Sequence, residues 1–298
     1  MFKMSEYAAV AALLSAGLAA VTYLVYAISG VRASQLQTAG GPYTSGIGLV
    51  SAPRTQSIGK YATIFGWLSM ITLTASLLFR AIHTGHGPFA DQYEFSMAFG
   101  WGILVAYFWF ERRYQQRMLG LIALPVAFLI MLYARMISTN ADPLMPALQN
   151  NLLLTVHVAC AIIAYGSFSV AFGAAILFLI QPEGGRWGLP KPDMLDEISY
   201  RAVVVGFPFL TLTIVLGAVW ANVAWGTYWN WDPKETASLV TWFIYGMYLH
   251  ARVVRGWRGK KAAFLLLVGF AATLFTFFGI NVMGFGKGSL HSYSGLGN

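Results

Sequence analysis

Runs of about twenty mostly apolar residues recur along this chain, and no other feature constrains its fold more. A run of that length, wound as a helix, spans the hydrocarbon core of a bilayer. The runs are Tyr7 to Ser29, Tyr61 to His83, Phe95 to Phe110, Met118 to Ile137, Leu152 to Ile180, Tyr200 to Asn222, Pro233 to about Val254, and Ala262 to about Met283. The first is too long for a signal-peptide core and lacks a clear cleavage site, so it reads as a retained helix. Of the 298 residues, 57% are hydrophobic and only 10% are charged, against about 25% charged in a soluble domain. A chain this apolar cannot hide its surface from water by folding on itself. The predicted fold class is an all-α integral membrane protein, a polytopic bundle of about eight transmembrane helices. It includes a short outward-facing Trp-rich interfacial segment over residues 220–235.

The connections are read from their turn residues. Residues 30–59, rich in Gly, Ser, Thr and Gln with Pro42 and Pro53, predict a loop. Thr84 to Glu94 is a short loop holding His86, Pro88, Asp91 and Glu94. Asn140 to Pro143 breaks the chain, Gln181 to Ser199 is a mixed-charge loop, and Gly284 to Asn298 is a Gly-rich tail. Pro208 predicts a kink in the sixth helix. The chain divides into residues 1–59, a first helix and a cytoplasmic loop, and residues 60–298, the main bundle.

Charge predicts the orientation. Alternate loops collect Arg32, Arg54 and Lys60, then Arg112, Arg113 and Arg117, then Arg186, Lys191 and Arg201, then Arg252, Arg255, Arg258, Lys260 and Lys261. Only Lys3, Arg80, Arg135, Lys234 and Lys287 lie on the other side. The positive-inside rule puts the first set in the cytoplasm. Both termini, the 84–94 loop and the Trp segment then face outward. The net charge of +8 is accounted for by topology and implies no nucleic-acid partner. The single Cys160 excludes an intramolecular disulfide, and without Cys-x-x-Cys-His the chain is not itself a c-type cytochrome.

Four of the ten tryptophans fall between Trp220 and Trp231, with Tyr228 among them. Indole and phenol rings favour the membrane boundary, where an apolar body and a polar tip are both satisfied. Two readings are open: an ordinary aromatic belt, or a flat platform for a large planar ligand. The end of the segment has a local explanation. Asp232 caps a helix, Pro233 suits its first turn, and Glu235 completes a capping box.

Five histidines remain to be placed, and ionisable groups within a membrane are functional candidates by default. His157 lies roughly 10 Å inside the outward end of the fifth helix. His291 lies in the outward tail, which Gly284, Gly286 and Gly288 allow to fold back. Both can approach the Trp segment. His250 lies about 27 Å along the seventh helix from Asp232, near the cytoplasmic face. It reads either as a snorkelling residue or as a buried ligand. His83 and His86 stand at a helix end and in a loop, where solvation is the simpler reading. Cys160, one turn from His157, reads as packing. Two outward imidazoles beside an aromatic shelf suggest a planar iron porphyrin held by axial His.

The pattern Trp225-Gly-x-Tyr228-Trp229-x-Trp231-Asp232-Pro-Lys-Glu, followed by Thr241-Trp242, Tyr248-Leu-His250-x-Arg252 and Leu290-His291-Ser-Tyr293, resembles the tryptophan-rich WWD haem-handling family. It is most similar to the CcsA (ResC-type) subunit of the System II cytochrome c synthase. Gly85-His86-x-Pro88 with Glu94, and His157, fit the same pattern, over roughly residues 60–298. Ala237-Ser238 departs from it, where relatives often carry a Trp.

The resemblance implies that His157 and His291 hold haem iron on the outer side. It implies that Trp225, Trp229, Trp231 and Asp232, with Tyr228 in the same segment, contact the haem. His250 matches an inner haem ligand whose counterpart comes from a CcsB/ResB-like partner. His86 matches a family motif without an assigned role. The implied substrate is haem b, with its iron reduced for attachment. The implied task is to move haem outward and hold it for thioether attachment to Cys-x-x-Cys-His of apocytochrome c, in a bacterial plasma membrane or thylakoid. In that reading no residue acts as general base. Competing expectations are a haem transporter without ligation, a System I haem-delivery protein, and a b-type electron-transfer cytochrome.

Overall fold

The computed structural model describes residues 1–39, 48–89, 91–137, 139, 151–181 and 189–280. Among them the chain is helical, with no strand. In chain order the helices are α1 (Phe2–Ala39), α2 (Gly48–Thr84), α3 (Gln92–Tyr114), α4 (Gly120–Met136), α5 (Asn151–Ile180), α6 (Pro192–Trp225), α7 (Pro233–Arg255) and α8 (Lys260–Leu274). A 3₁₀ turn, Arg117–Leu119, leads into α4, and a π turn, Phe275–Gly279, extends α8. Six of these are long and apolar enough to cross a membrane: α1, α2, α4, α5, α6 and α8 with its π turn. The chain is an integral membrane helical bundle.

Several boundaries differ from the sequence reading. The loop expected over 30–59 is mostly helix, because α1 runs on to Ala39 and α2 already begins at Gly48. The polar composition that suggested a loop is tolerated where the helices extend past their apolar spans. Helix α6 starts at Pro192, eight residues early, with Pro at the first turn and Asp193 beside the helix N-terminus. It runs unbroken through Pro208. It also runs on through Trp225, so Trp220 and Trp225 belong to its last turns. Only residues 226–232 form a connecting segment.

Helix α5 is the axis of the bundle and packs against α3, α6 and α8. Its crossing with α3 is made by glycines. A Cβ on Gly166 would lie 2.4 Å from the carbonyl oxygen of Gly102, so only bare backbone allows this approach. By contrast, α1 and α2 turn Leu14, Leu18, Val21, Ile64, Ile71 and Ile82 outward. In a bilayer such a face costs nothing, since lipid tails are as apolar as leucine.

Contacts between helix ends sort the bundle into two poles. At one pole Arg80 of α2 meets Glu6 of α1 and Glu94 of α3. There too Phe89 packs with Leu154 and Val158 of α5, and Thr241 of α7 meets Thr276 of the π turn at 3.0 Å. At the other pole Arg252 of α7 meets Asp196 of α6 at 2.6 Å, and the N–H of Gly259 donates to the same carboxylate at 3.2 Å. Helix α7 therefore runs from the Trp segment at the first pole to His250 near the second.

Candidate haem-handling sites

At the first pole the site begins with His157 on α5. Its ring is half-buried against α6, with Nδ1 2.8 Å from the carbonyl oxygen of Thr213. A carbonyl only accepts, so Nδ1 carries the proton and Nε2 carries the lone pair, the form that ligates a metal. The approach depends on Gly217. A Cβ there would stand 2.9 Å from His157 Cε1.

Above that level α6 delivers the aromatic residues. Trp220 is buried, and its ring meets that of Trp225 edge-on at 4.7 Å and 75°. Gly226, at φ 78°, ends the helix in the left-handed conformation that glycine adopts without steric cost. Tyr228 and Trp231 are 60% and 69% exposed. Trp229 is half-buried and meets Trp231 at 5.7 Å and 88°. The indoles thus form perpendicular corners instead of the flat platform that their density suggested.

Trp231 has φ 55°, a conformation that costs a residue with a side chain about 1–2 kcal/mol. It is followed by the predicted cap. The Asp232 carboxylate accepts from Lys234 N–H at 3.0 Å, and the Glu235 carboxylate accepts from Asp232 N–H at 3.2 Å. Asp232 is buried.

Of the other candidates at this pole, His86 has Nδ1 2.8 Å from the carbonyl of Gly87. Its loop rests on α5, because a Cβ on Gly87 would lie 3.3 Å from Thr155 Oγ1. His83 is exposed, its ring 5.5 Å from that of Phe2. His291 lies outside the described residues, so its expected convergence with His157 stays an expectation. The described chain ends at Ile280, just past the π turn of this pole.

Nearer the second pole, His250 is exposed on α7 beside a groove of about 500 Å³. The groove is lined by Phe207 of α6 and by Trp242, Phe243, Gly246, Met247 and Leu249 of α7. Its back wall is rigid: Trp242 stacks on Phe207 at 5.2 Å and 29°, and its Nε1–H donates to Thr211 Oγ1 at 2.8 Å. Apart from the imidazole the lining is apolar, within the size range of small-molecule sites. The groove is open on its outer side, where Phe243, Met247 and His250 are exposed, so it presents an apolar, aromatic face with one imidazole.

Relatives give this arrangement its family. The model of the cytochrome c assembly protein family matches residues 89–286. The chain belongs to the cytochrome c assembly protein family. Among curated relatives, the cytochrome c biogenesis protein CcsA of Chlamydomonas reinhardtii is 40% identical over 238 residues, 76% of this chain and 66% of that protein. CcsA of Porphyra purpurea is 33% identical, over 82% of this chain and 90% of its own length. CcsA of Synechocystis is 33% identical, over 76% of this chain and 85% of that one. Within the family the chain is therefore of the CcsA type. Among solved structures, the cytochrome c haem lyase CcmF superposes with a TM-score of 0.55 at 20% identity, over 90% of this chain and 46% of CcmF. That likeness concerns the fold, and the chain spans about half the length of that protein.

Sequence reasoning missed the residues that support these sites. Thr213 and Gly217 act through a backbone oxygen and a missing side chain, so neither carries a chemical signature. Thr211 and Phe207 sit in an apolar run that marks them only as part of a span. The spacing of Thr213 and Gly217 does put them on one helix face, but the partner across that face is not legible from it.

Proposed function

We propose that this chain is the haem-handling membrane subunit of a System II cytochrome c synthase. It takes haem at the groove beside His250 and holds it at the opposite pole for attachment to apocytochrome c. The observation that carries the reading is the pinned tautomer of His157. A ring whose Nδ1–H is committed to a backbone carbonyl is the arrangement proteins use to orient an imidazole toward a metal. It stands on α5 against α6, the helix whose last turns carry Trp220 and Trp225.

In this reading His157 and His291 are the axial ligands at the outer pole, and Trp225, Tyr228, Trp229, Trp231 and Asp232 form the surrounding surface. His250 is one inner ligand, the other coming from a CcsB/ResB-like partner. Haem b is the substrate and supplies two vinyl groups. Each thiol of Cys-x-x-Cys-His adds S–H across one vinyl double bond, so no electrons are gained or lost in the addition. The chain's own contribution is positioning: His157 sets the depth and tilt of the metal centre, and the indole corners exclude water from one face. Both termini and the Trp segment face away from the cytoplasm, following the positive-inside rule.

Purified chain with its partner is expected to carry a low-spin, six-coordinate haem. Reconstitution with haem and a Cys-x-x-Cys-His peptide tests the rest. Thioether product that disappears in H157A supports ligation at this site, whereas haem transfer without product supports transport alone. If H157A keeps both the outer haem spectrum and the product, the assignment is wrong.

A further inference from the structure

Trp231 holds a left-handed backbone, with φ 55°, while most of its surface stands exposed. A bulky residue does not adopt that conformation unless its surroundings impose it. Here they do so through one carboxylate. Glu235 Oε2 accepts from Asn230 N–H at 2.8 Å and from Asp232 N–H at 3.2 Å, the residues on either side of Trp231. The next residue completes the grip. Thr236 Oγ1 donates to the carbonyl of Trp231 at 3.3 Å, and Thr236 N–H donates to the carbonyl of Asp232 at 2.9 Å. Glu235 is itself buried, so the two bonds its carboxylate accepts are the ones shielded from competing water.

An ordinary capping box needs only the bond from the cap residue's N–H to the third helical side chain. The bond from Asn230 lies outside that motif, and capping does not require it. With it, Glu235 bridges the segment across Trp231, whose indole stands edge-on to that of Trp229.

We infer that Glu235 is a positioning residue that, with Thr236, holds the Trp231 indole out as one wall of the corner that receives the face of a planar macrocycle. The inference rests on the haem reading above for the identity of that ligand, while the clamp itself rests on the backbone. N230P removes the one N–H that lies outside the capping box, and so separates the clamp from capping. E235A removes the acceptor, whereas E235Q keeps one carbonyl oxygen in the same place.

The test uses the full chain in its native membrane complex, with 5-fluorotryptophan placed at position 231. Wild type and E235Q are expected to share one ¹⁹F resonance position, and E235A to shift or broaden it. The His157-dependent fraction of bound haem is expected to fall about tenfold in E235A, to be restored in E235Q, and to leave the His250-dependent fraction unchanged. An unchanged ¹⁹F line in E235A overturns the clamp, whatever the haem does. A parallel loss of both haem fractions, a failure of E235Q to rescue, or an N230P chain that keeps the wild-type ¹⁹F line and outer haem overturns the positioning role of Glu235. If the ¹⁹F line moves while H157A still holds outer haem, the clamp stands and the haem reading falls.

Discussion

The Nδ1 of His157 lies 2.8 Å from the carbonyl oxygen of Thr213, and the next turn of α6 presents Gly217 to the same ring. Two consequences differ sharply. Replacing Thr213 by Ala leaves the carbonyl in place, so T213A is expected to keep the outer haem. A methyl group at position 217 meets the ring at 2.9 Å and forces it off its acceptor. Loss of a supporting hydrogen bond of this kind typically costs about 10–100-fold in metal affinity. Haem titration of G217A and T213A, followed by absorbance, measures the contrast.

The groove near the second pole makes a separate prediction. Gly246 forms part of its wall, and a Cβ there would meet the Phe207 ring, also part of the lining, at 3.5 Å. A leucine at this position fills the slot without placing a polar group against lipid. G246L is expected to fold normally and to lose His250-dependent haem by on the order of tenfold, equivalent to about 1.4 kcal/mol. Haem content per protein after purification reads this directly.

Arg80 is among the largest fully buried side chains of the described residues. Its Nε–H donates to Glu94 at 2.6 Å, a second nitrogen to Asp91 at 3.2 Å, and a third to the carbonyl of Thr139 at 2.9 Å. Removing one partner of such a pair strands the other charge, at a cost of about 3–5 kcal/mol. R80M is therefore expected to lower the thermal midpoint in detergent strongly. The double variant R80M/E94L is expected to recover part of the loss, because the fully buried Glu94 carboxylate is then no longer left without its guanidinium.

The same cluster sets a pH dependence. Burial pushes the Asp91 carboxyl from its ordinary 3.8 up to about 6, and the neighbouring Glu94 carboxylate adds to the rise, while Arg80 opposes it. The folded chain then binds this proton more tightly than the unfolded chain. Its contribution to stability is fully present below pH 3.8 and is lost as pH rises through about 6. D91N stays neutral throughout and keeps an oxygen to accept Glu94 N–H. Melting midpoints of wild type and D91N from about pH 4 to pH 7 are expected to converge at the acid end and separate toward neutrality, with D91N the higher. Curves that stay parallel across that range rule out Asp91 as the source.

Much of the chain was legible because its strongest signal is local. An apolar run of membrane length has to be helical, since no other segment satisfies its own backbone in lipid. The capping box at Asp232 and Glu235 was equally readable, being complete within four residues. The ends of α1, α2 and α6 were misplaced because polar composition resembles a loop once a helix leaves the apolar layer. The choice between an aromatic belt and a flat platform stayed open in the sequence because the orientation of one indole relative to another depends on backbone angles such as that of Trp231, and residue spacing does not contain them.

By itself the amino-acid order determined that this chain is a helical membrane protein, where its aromatic and imidazole groups fall along it, and which family it resembles. Each is a property of short stretches read one at a time. Only the tertiary structure decided that the Thr213 carbonyl accepts from His157 Nδ1–H, that Gly217 makes room for the ring, that Phe207 and Trp242 wall a groove beside His250, and that Glu235 braces Trp231. Those relationships join separate helices or span a turn whose angles are settled by packing. They exist only when the bundle closes.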